Sequence, residues 1–171
     1  MVESFVCVGP GAVTSVADFG MITARLATGA AITGAADVTA LVNARVTHVL
    51  DCRAEFDDAQ LLAGAGLTYL WDPTADDGLP KPDTWWSTGL TFATGAYSRL
   101  GTCVYAHCAA GINRGPSMAY GVLRACMGFP PDAARQLVLA GRPQAGLAYA
   151  ADFDRFWAGR TGSAGRLIPM P

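Results

Sequence analysis

Cys108 and Arg114 stand at the two ends of a stretch in which Ala109, Ala110, Gly111, Ile112 and Asn113 lie between them, and His107 directly precedes the cysteine. A thiolate is a strong nucleophile toward phosphorus, and a guanidinium is a planar fork that grips two non-bridging phosphate oxygens. The stretch follows Cys103-Val104-Tyr105-Ala106, whose β-branched and aromatic content predicts a short buried strand. It leads into Gly115 to Met127, which has the length and apolar content of a buried helix. The loop therefore falls at a strand-to-helix junction, where the free N–H groups and dipole of a helix N-terminus converge on one point. No residue from Ala109 to Arg114 is proline, so every amide of the loop can donate, and Pro116 comes only in the first helical turn. These six residues are the expected phosphate-binding set, and the field they create favours a thiolate on Cys108.

The run His107-Cys108-Ala109-Ala110-Gly111-Ile112-Asn113-Arg114 resembles the signature loop of the cysteine-dependent protein tyrosine phosphatases, in the form of the dual-specificity branch. The resemblance extends more weakly from about Arg25 to Trp157 and includes the strand-like Arg45 to Leu50. It implies a phosphate-monoester hydrolase working through a phosphocysteine, with no metal and no cofactor. It also implies a supporting, loop-shaping role for the buried His107. Departure of an alcohol requires a proton donor, which in the resembled family is an aspartate on the loop after the preceding strand. Asp76 and Asp77 lie 32 and 31 residues before Cys108, and Asp76 is favoured by its distance from Tyr69, with Asp77 the alternative. Asp72 reads as a turn residue ahead of Pro73.

Two further expectations come with the resemblance. The family carries Ser or Thr after the arginine, where this chain has Gly115, so breakdown of the phosphocysteine is expected to limit turnover and Gly115→Ser to speed it, unless Ser117 compensates. Cys52 is the candidate to form a reversible disulfide with an oxidised Cys108.

The elements that must position these groups alternate between helical and strand patterns. Helices are predicted over Asp37 to Ala44, Phe56 to Ala65, a stripe of Trp86, Leu90, Ala93, Tyr97 and Leu100, Asp132 to Ala140 behind Pro130-Pro131, and Tyr149 to Trp157. Strands are predicted over Val46 to Asp51 and Leu67 to Trp71, with weaker candidates in Phe5 to Val8 and Arg25 to Thr33. The pattern gives one α/β domain over residues 1–171, with a central, mostly parallel sheet flanked by helices on both faces and a loose tail from 161. Asp72 to Asp83 is then a loop leaving the C-terminal end of a strand, where open α/β sheets place their ligands. His48 reads as structural and the tryptophans as core anchors.

The 171 residues carry a net charge of −2 and a single lysine, Lys81, with no basic cluster, so no nucleic-acid or anionic-membrane partner is expected. Five cysteines without a C-x-x-C pair, no 18-residue apolar run and no signal-like N-terminus predict a reduced, cytoplasmic protein, and a monomer is expected. Its expected partner is a phosphorylated protein or small aryl phosphate. The competing readings are a phosphate-binding module without turnover, an RNA 5′-triphosphatase-like enzyme and a rhodanese-like enzyme.

Overall fold

The computed structural model describes residues 17–161, so the Phe5 to Val8 run and the tail after 161 lie outside the described residues. Eleven elements follow in chain order: β1 (Phe19–Thr23), β2 (Leu26–Gly29), α1 (Ala35–Asn43), β3 (His48–Arg53), α2 (Ala59–Leu62), β4 (Thr68–Thr74), α3 (Asp83–Tyr97), β5 (Val104–His107), α4 (Arg114–Met127), α5 (Pro131–Gly141) and α6 (Ala150–Thr161). The sheet has the order β1-β2-β5-β3-β4. Only the β1–β2 pair is antiparallel; β2–β5, β5–β3 and β3–β4 are parallel, as the alternation of helices and strands requires. Strand side chains alternate between faces, so Val49 and Tyr105 pack with Val38, Leu41 and Leu62 of α1 and α2, while Leu50 and Ala106 pack with Trp86, Met118 and Phe153 on the other face. The two apolar layers make the sheet α/β in the sense expected.

Several elements differ from the sequence pattern for identifiable reasons. The helix expected over Phe56 to Ala65 is a single turn, with Phe56 exposed. Its upstream residues are committed elsewhere, Glu55 to Arg114 and Asp58 to Arg53, and Gly64 and Gly66 turn the chain away at φ +76° and +71°. Asp72 and Pro73 are not a turn: β4 runs through both, and proline is tolerated because β4 is an edge strand. Asp72 is consequently buried, and burial raises its carboxyl to about 7. α3 ends at Tyr97, which leaves Leu100 in solvent instead of on the apolar stripe. Trp85 and Trp86 are core residues, whereas Trp71 sits half-exposed on β4 and donates its indole N–H to the Arg53 carbonyl. β1 has no clear sequence signal; it is held by pairing and by the close approach of Gly20 to Gly141. Among the described residues no helix is long and apolar enough to cross a membrane.

Candidate active site

β5 ends at His107, the chain turns through residues 108–113, and α4 begins at Arg114, so the predicted loop does join a strand to a helix. Gly111 has φ +63°, and a Cβ there would lie 2.4 Å from the Gly29 carbonyl carbon; sign and space both demand glycine. The outer side of the loop is bonded residue by residue. The Ala109 carbonyl accepts from Ala31 N–H, the Ala110 carbonyl from Arg142 Nη2 (3.0 Å), the Gly111 carbonyl from Arg142 Nε (2.5 Å), and the Ile112 carbonyl from Gly146 N–H. A trans peptide carries its N–H opposite its C=O, so carbonyls held outward turn the amides of residues 110–113 toward the concave side. That is a cradle for an anion, with Cys108 buried at its base.

Arg142 is itself buried and is held by both carboxylate oxygens of Asp18, at 2.8 and 2.9 Å. The Asp18 carboxyl is drawn below the usual carboxylate range by that hydrogen-bonded guanidinium. Neither residue carried a local signal in the sequence.

Arg114 is 2 % exposed at its side chain. Glu55 takes Nη1 and Nη2 at 2.7 and 2.8 Å, and the Thr74 carbonyl takes Nη1 at 2.9 Å. These bonds leave Arg114 Nε buried without a hydrogen-bond partner. A buried guanidinium edge left unsatisfied is costly unless an anion takes it. The Glu55 carboxyl is lowered by its hydrogen bond from Arg114. Glu55 lies just past the C-terminal end of β3, and that position in a parallel strand was the one available clue to it.

The two candidate acids part company. Asp76 Oδ1 accepts from Tyr149 Oη at 2.6 Å, Asn113 Nδ2 is 3.3 Å from both its oxygens, and Oδ2 lies 3.7 Å from Arg114 Nε. Asp77 instead pairs with Lys81 Nζ at 2.6 Å, which draws its carboxyl below the usual range. The fold thus brings Arg114, Asn113 and Asp76 together, sets Cys108 near Arg114, and turns Asp77 to a lysine.

His107 is fully buried, stacked 5.0 Å from Tyr105 with the rings 3° from parallel. Its Nε2 lies 3.4 Å from Asp58 and 3.7 Å from Asp51, and burial pushes its pKa down to about 4, so the ring is neutral near pH 7. These three side chains lie close enough together to hold a metal ion. Arg53, however, already bridges both carboxylates, so the cluster is an internal ion pair behind the loop. Cys52 and Cys108 follow the parallel register pair Asp51 and His107, which sets their side chains on one face. Cys52 is buried and its thiol is pushed well up by that burial.

Gly115 requires a correction. A Cβ at this position would lie 2.8 Å from both the Cα and the carbonyl carbon of His107, inside the central strand. Glycine is there because α4 starts against the β5 backbone, and Ser117 Oγ is engaged with the Tyr149 N–H. Gly115→Ser is therefore expected to destabilise the protein by about 1–3 kcal/mol and to slow turnover instead of raising it. A thermal melt with steady-state rates checks this; an unchanged Tm with a faster rate would mean that α4 can back away from β5 without cost.

No family model matches the chain, and no curated relative does. Solved structures do. A mouse putative dual specificity phosphatase complexed with zinc tungstate superposes with a TM-score of 0.75 at 21 % identity, over 90 % of this chain and 94 % of the other. PTPMT1 in complex with PI(5)P gives 0.65 at 21 %, over 82 % and 97 %. TpbA of P. aeruginosa in complex with pTyr gives 0.62 at 22 %, over 87 % and 93 %. The chain has the fold of the cysteine-dependent protein tyrosine phosphatases, in its dual-specificity form.

Proposed function

We propose that this protein hydrolyses phosphate monoesters through a phosphocysteine on Cys108. The observation that carries the reading is the buried Arg114, braced by Glu55, with an Nε that has no hydrogen-bond partner beside a cradle of inward amides. A phosphoryl group bound there meets the Cys108 thiolate in line with its ester oxygen. The S–P bond forms as the P–O bond breaks, and Asp76 gives its proton to the departing oxygen. Asp76, now a carboxylate, takes a proton from water as that water attacks phosphorus; the P–S bond breaks and phosphate leaves. Arg114 and the loop amides hold the equatorial oxygens throughout.

Residues 109–113 contain no lysine or arginine, and Glu55, Asp76 and Asp77 all lie at or beside the site. This charge balance disfavours polyanions, so phosphotyrosine-like aryl phosphates are the expected substrates and phosphoinositides poor ones. Recognition of a phosphorylated partner without turnover is the competing reading, but it gives no use for a carboxylate 3.7 Å from Arg114. Turnover of p-nitrophenyl phosphate is expected for the wild type and its loss for Cys108→Ser, with kcat/KM higher on a phosphotyrosine peptide than on PI(5)P. Phosphotyrosine-peptide binding by a wild type that releases no phosphate would replace the enzyme reading with the binding one.

A further inference from the structure

Three residues of the acid-bearing segment 75–81, namely Asp76, Gly78 and Lys81, are fastened to one aromatic ring from the far end of the chain. Tyr149 donates its hydroxyl hydrogen to Asp76 Oδ1 at 2.6 Å and accepts the Gly78 N–H at 3.2 Å. Lys81 Nζ lies 4.3 Å from the centre of the same ring, within cation–π range, and donates to the Ala75 carbonyl and to Asp77. Lys81 is almost completely buried although it is the chain's only lysine, a placement that needs partners of this kind.

The ring is equally fixed from behind. Tyr149 is 1 % exposed, and its backbone N–H donates to Ser117 Oγ, on the first turn of the helix that opens at Arg114. Two residues earlier, Leu147 adopts φ +51°, a left-handed conformation that a leucine takes only when its surroundings impose it. Its neighbour Gly146 donates to the Ile112 carbonyl of the phosphate loop. One rigid connection therefore links the loop that would hold phosphate to the carboxyl that would protonate the leaving group.

The geometry points to Tyr149 as the positioning residue of the acid: by holding Oδ1 of Asp76 it leaves Oδ2, the oxygen nearest Arg114 Nε, as the one that delivers the proton. This rests on the hydrolase reading above and adds to it which group aims the acid. Asp76 is partly open to solvent, with its side chain 30 % exposed, and the longer contact from Asn113 Nδ2, 3.3 Å from both oxygens, does not distinguish one from the other, so the short bond from Tyr149 is the one that does. The hydroxyl can serve this purpose at any working pH, because burial pushes its own ionisation up to about 12. Tyr149 touches neither phosphorus nor the ester oxygen in this scheme; it acts through Asp76.

Tyr149→Phe tests the assignment, since it keeps the ring beneath Lys81 and removes only the hydroxyl. The measurement is kcat/KM, which reports events up to P–O cleavage, on aryl phosphates of graded leaving-group acidity. Protonation matters most for a poor leaving group, so the variant is expected to lose about 10–100-fold on phenyl phosphate and about 3-fold or less on 2,4-dinitrophenyl phosphate. In an Asp76→Asn background, Tyr149→Phe should cause no further loss on either substrate. Equal losses on both substrates, or independent losses in the Asp76→Asn background, would overturn the assignment while leaving the hydrolase reading intact. A wild type without turnover on any aryl phosphate would remove both.

Discussion

Arg142→Met is expected to lower kcat/KM by about 10²-fold, on the scale of a misplaced catalytic group, although Arg142 touches neither the thiol nor the phosphate position. Its guanidinium holds the carbonyls of Ala110 and Gly111 on the outside of the loop, and losing it frees those two peptide planes to rotate. A peptide that flips removes an N–H from the cradle and presents an oxygen to the phosphate, so the error changes sign as well as size. The hydrogen bonds to these two buried carbonyls and the pairing with Asp18 are also lost, which is expected to cost about 2–4 kcal/mol of stability. Arg142→Lys should rescue little, because one ammonium cannot reach both carbonyls and the Asp18 carboxylate together. Asp18→Asn should be milder, since the Asp18 side chain is 56 % exposed and loses little by solvation. Rates on p-nitrophenyl phosphate with parallel thermal melts decide the matter. A variant within threefold of wild type would mean that the loop keeps its shape through the backbone bonds to Ala31 and Gly146 alone.

Arg53→Met is expected to cost about 3–5 kcal/mol, the range for stripping the partner from a buried ion pair. Asp51 and Asp58 are both fully buried, and Arg53 is the cation that touches both. The loss should depend on pH with a sign that can be worked out. Burial raises the Asp58 carboxyl to about 6 against the hydrogen-bonded pull of Arg53. Its folded form therefore keeps a proton that the unfolded chain releases, and the stability this contributes is lost as pH rises toward and through about 6. His107 works the other way: its folded pKa is about 4, so its neutral ring contributes stability that is lost as pH falls from the unfolded value near 6.5. In the wild type the two slopes oppose each other between about pH 4 and 6. Removal of Arg53 leaves beside the two acids only a histidine that is neutral near pH 7, so the deficit in urea denaturation should be larger at pH 7.5 than at pH 5. An equal deficit at both pH values would show that the lost stability comes from packing of the arginine stem and not from the bared acids.

The parts of this site that could be read from sequence are those whose partners are near in the chain. Cys108, the loop amides and Arg114 occupy one strand-to-helix junction, and Cys103 to Met127 folds as its residue pattern requires. The parallel sheet follows from the same alternation. What escaped was each residue acting across the fold. Glu55 reaches Arg114 over 59 residues, Tyr149 reaches Asp76 over 73, and no periodicity or spacing marks such pairs. The single turn that replaces a helix from Phe56 has the same origin: the residue pattern is helical, but tertiary contacts of Glu55 and Asp58 claim the residues that would open it. Gly115 shows the converse. A missing hydroxyl was visible in the sequence, whereas the strand backbone that leaves no room for one was not.

The pairing of Asp18 with Arg142 spans 124 residues, nearly the whole described chain. Loop closure over such a distance must be accomplished before either residue gains anything from the other, which puts this contact among the slowest to form. During synthesis Cys108, Arg114 and the helix behind them emerge first, and the outward grip on Ala110 and Gly111 arrives only with Arg142. A chain interrupted near Gly128 would carry every element of the signature loop yet hold its outer side at Ala109 alone, without the bonds to Ala110, Gly111 and Ile112, so the proposed chemistry is coupled to completion of the fold.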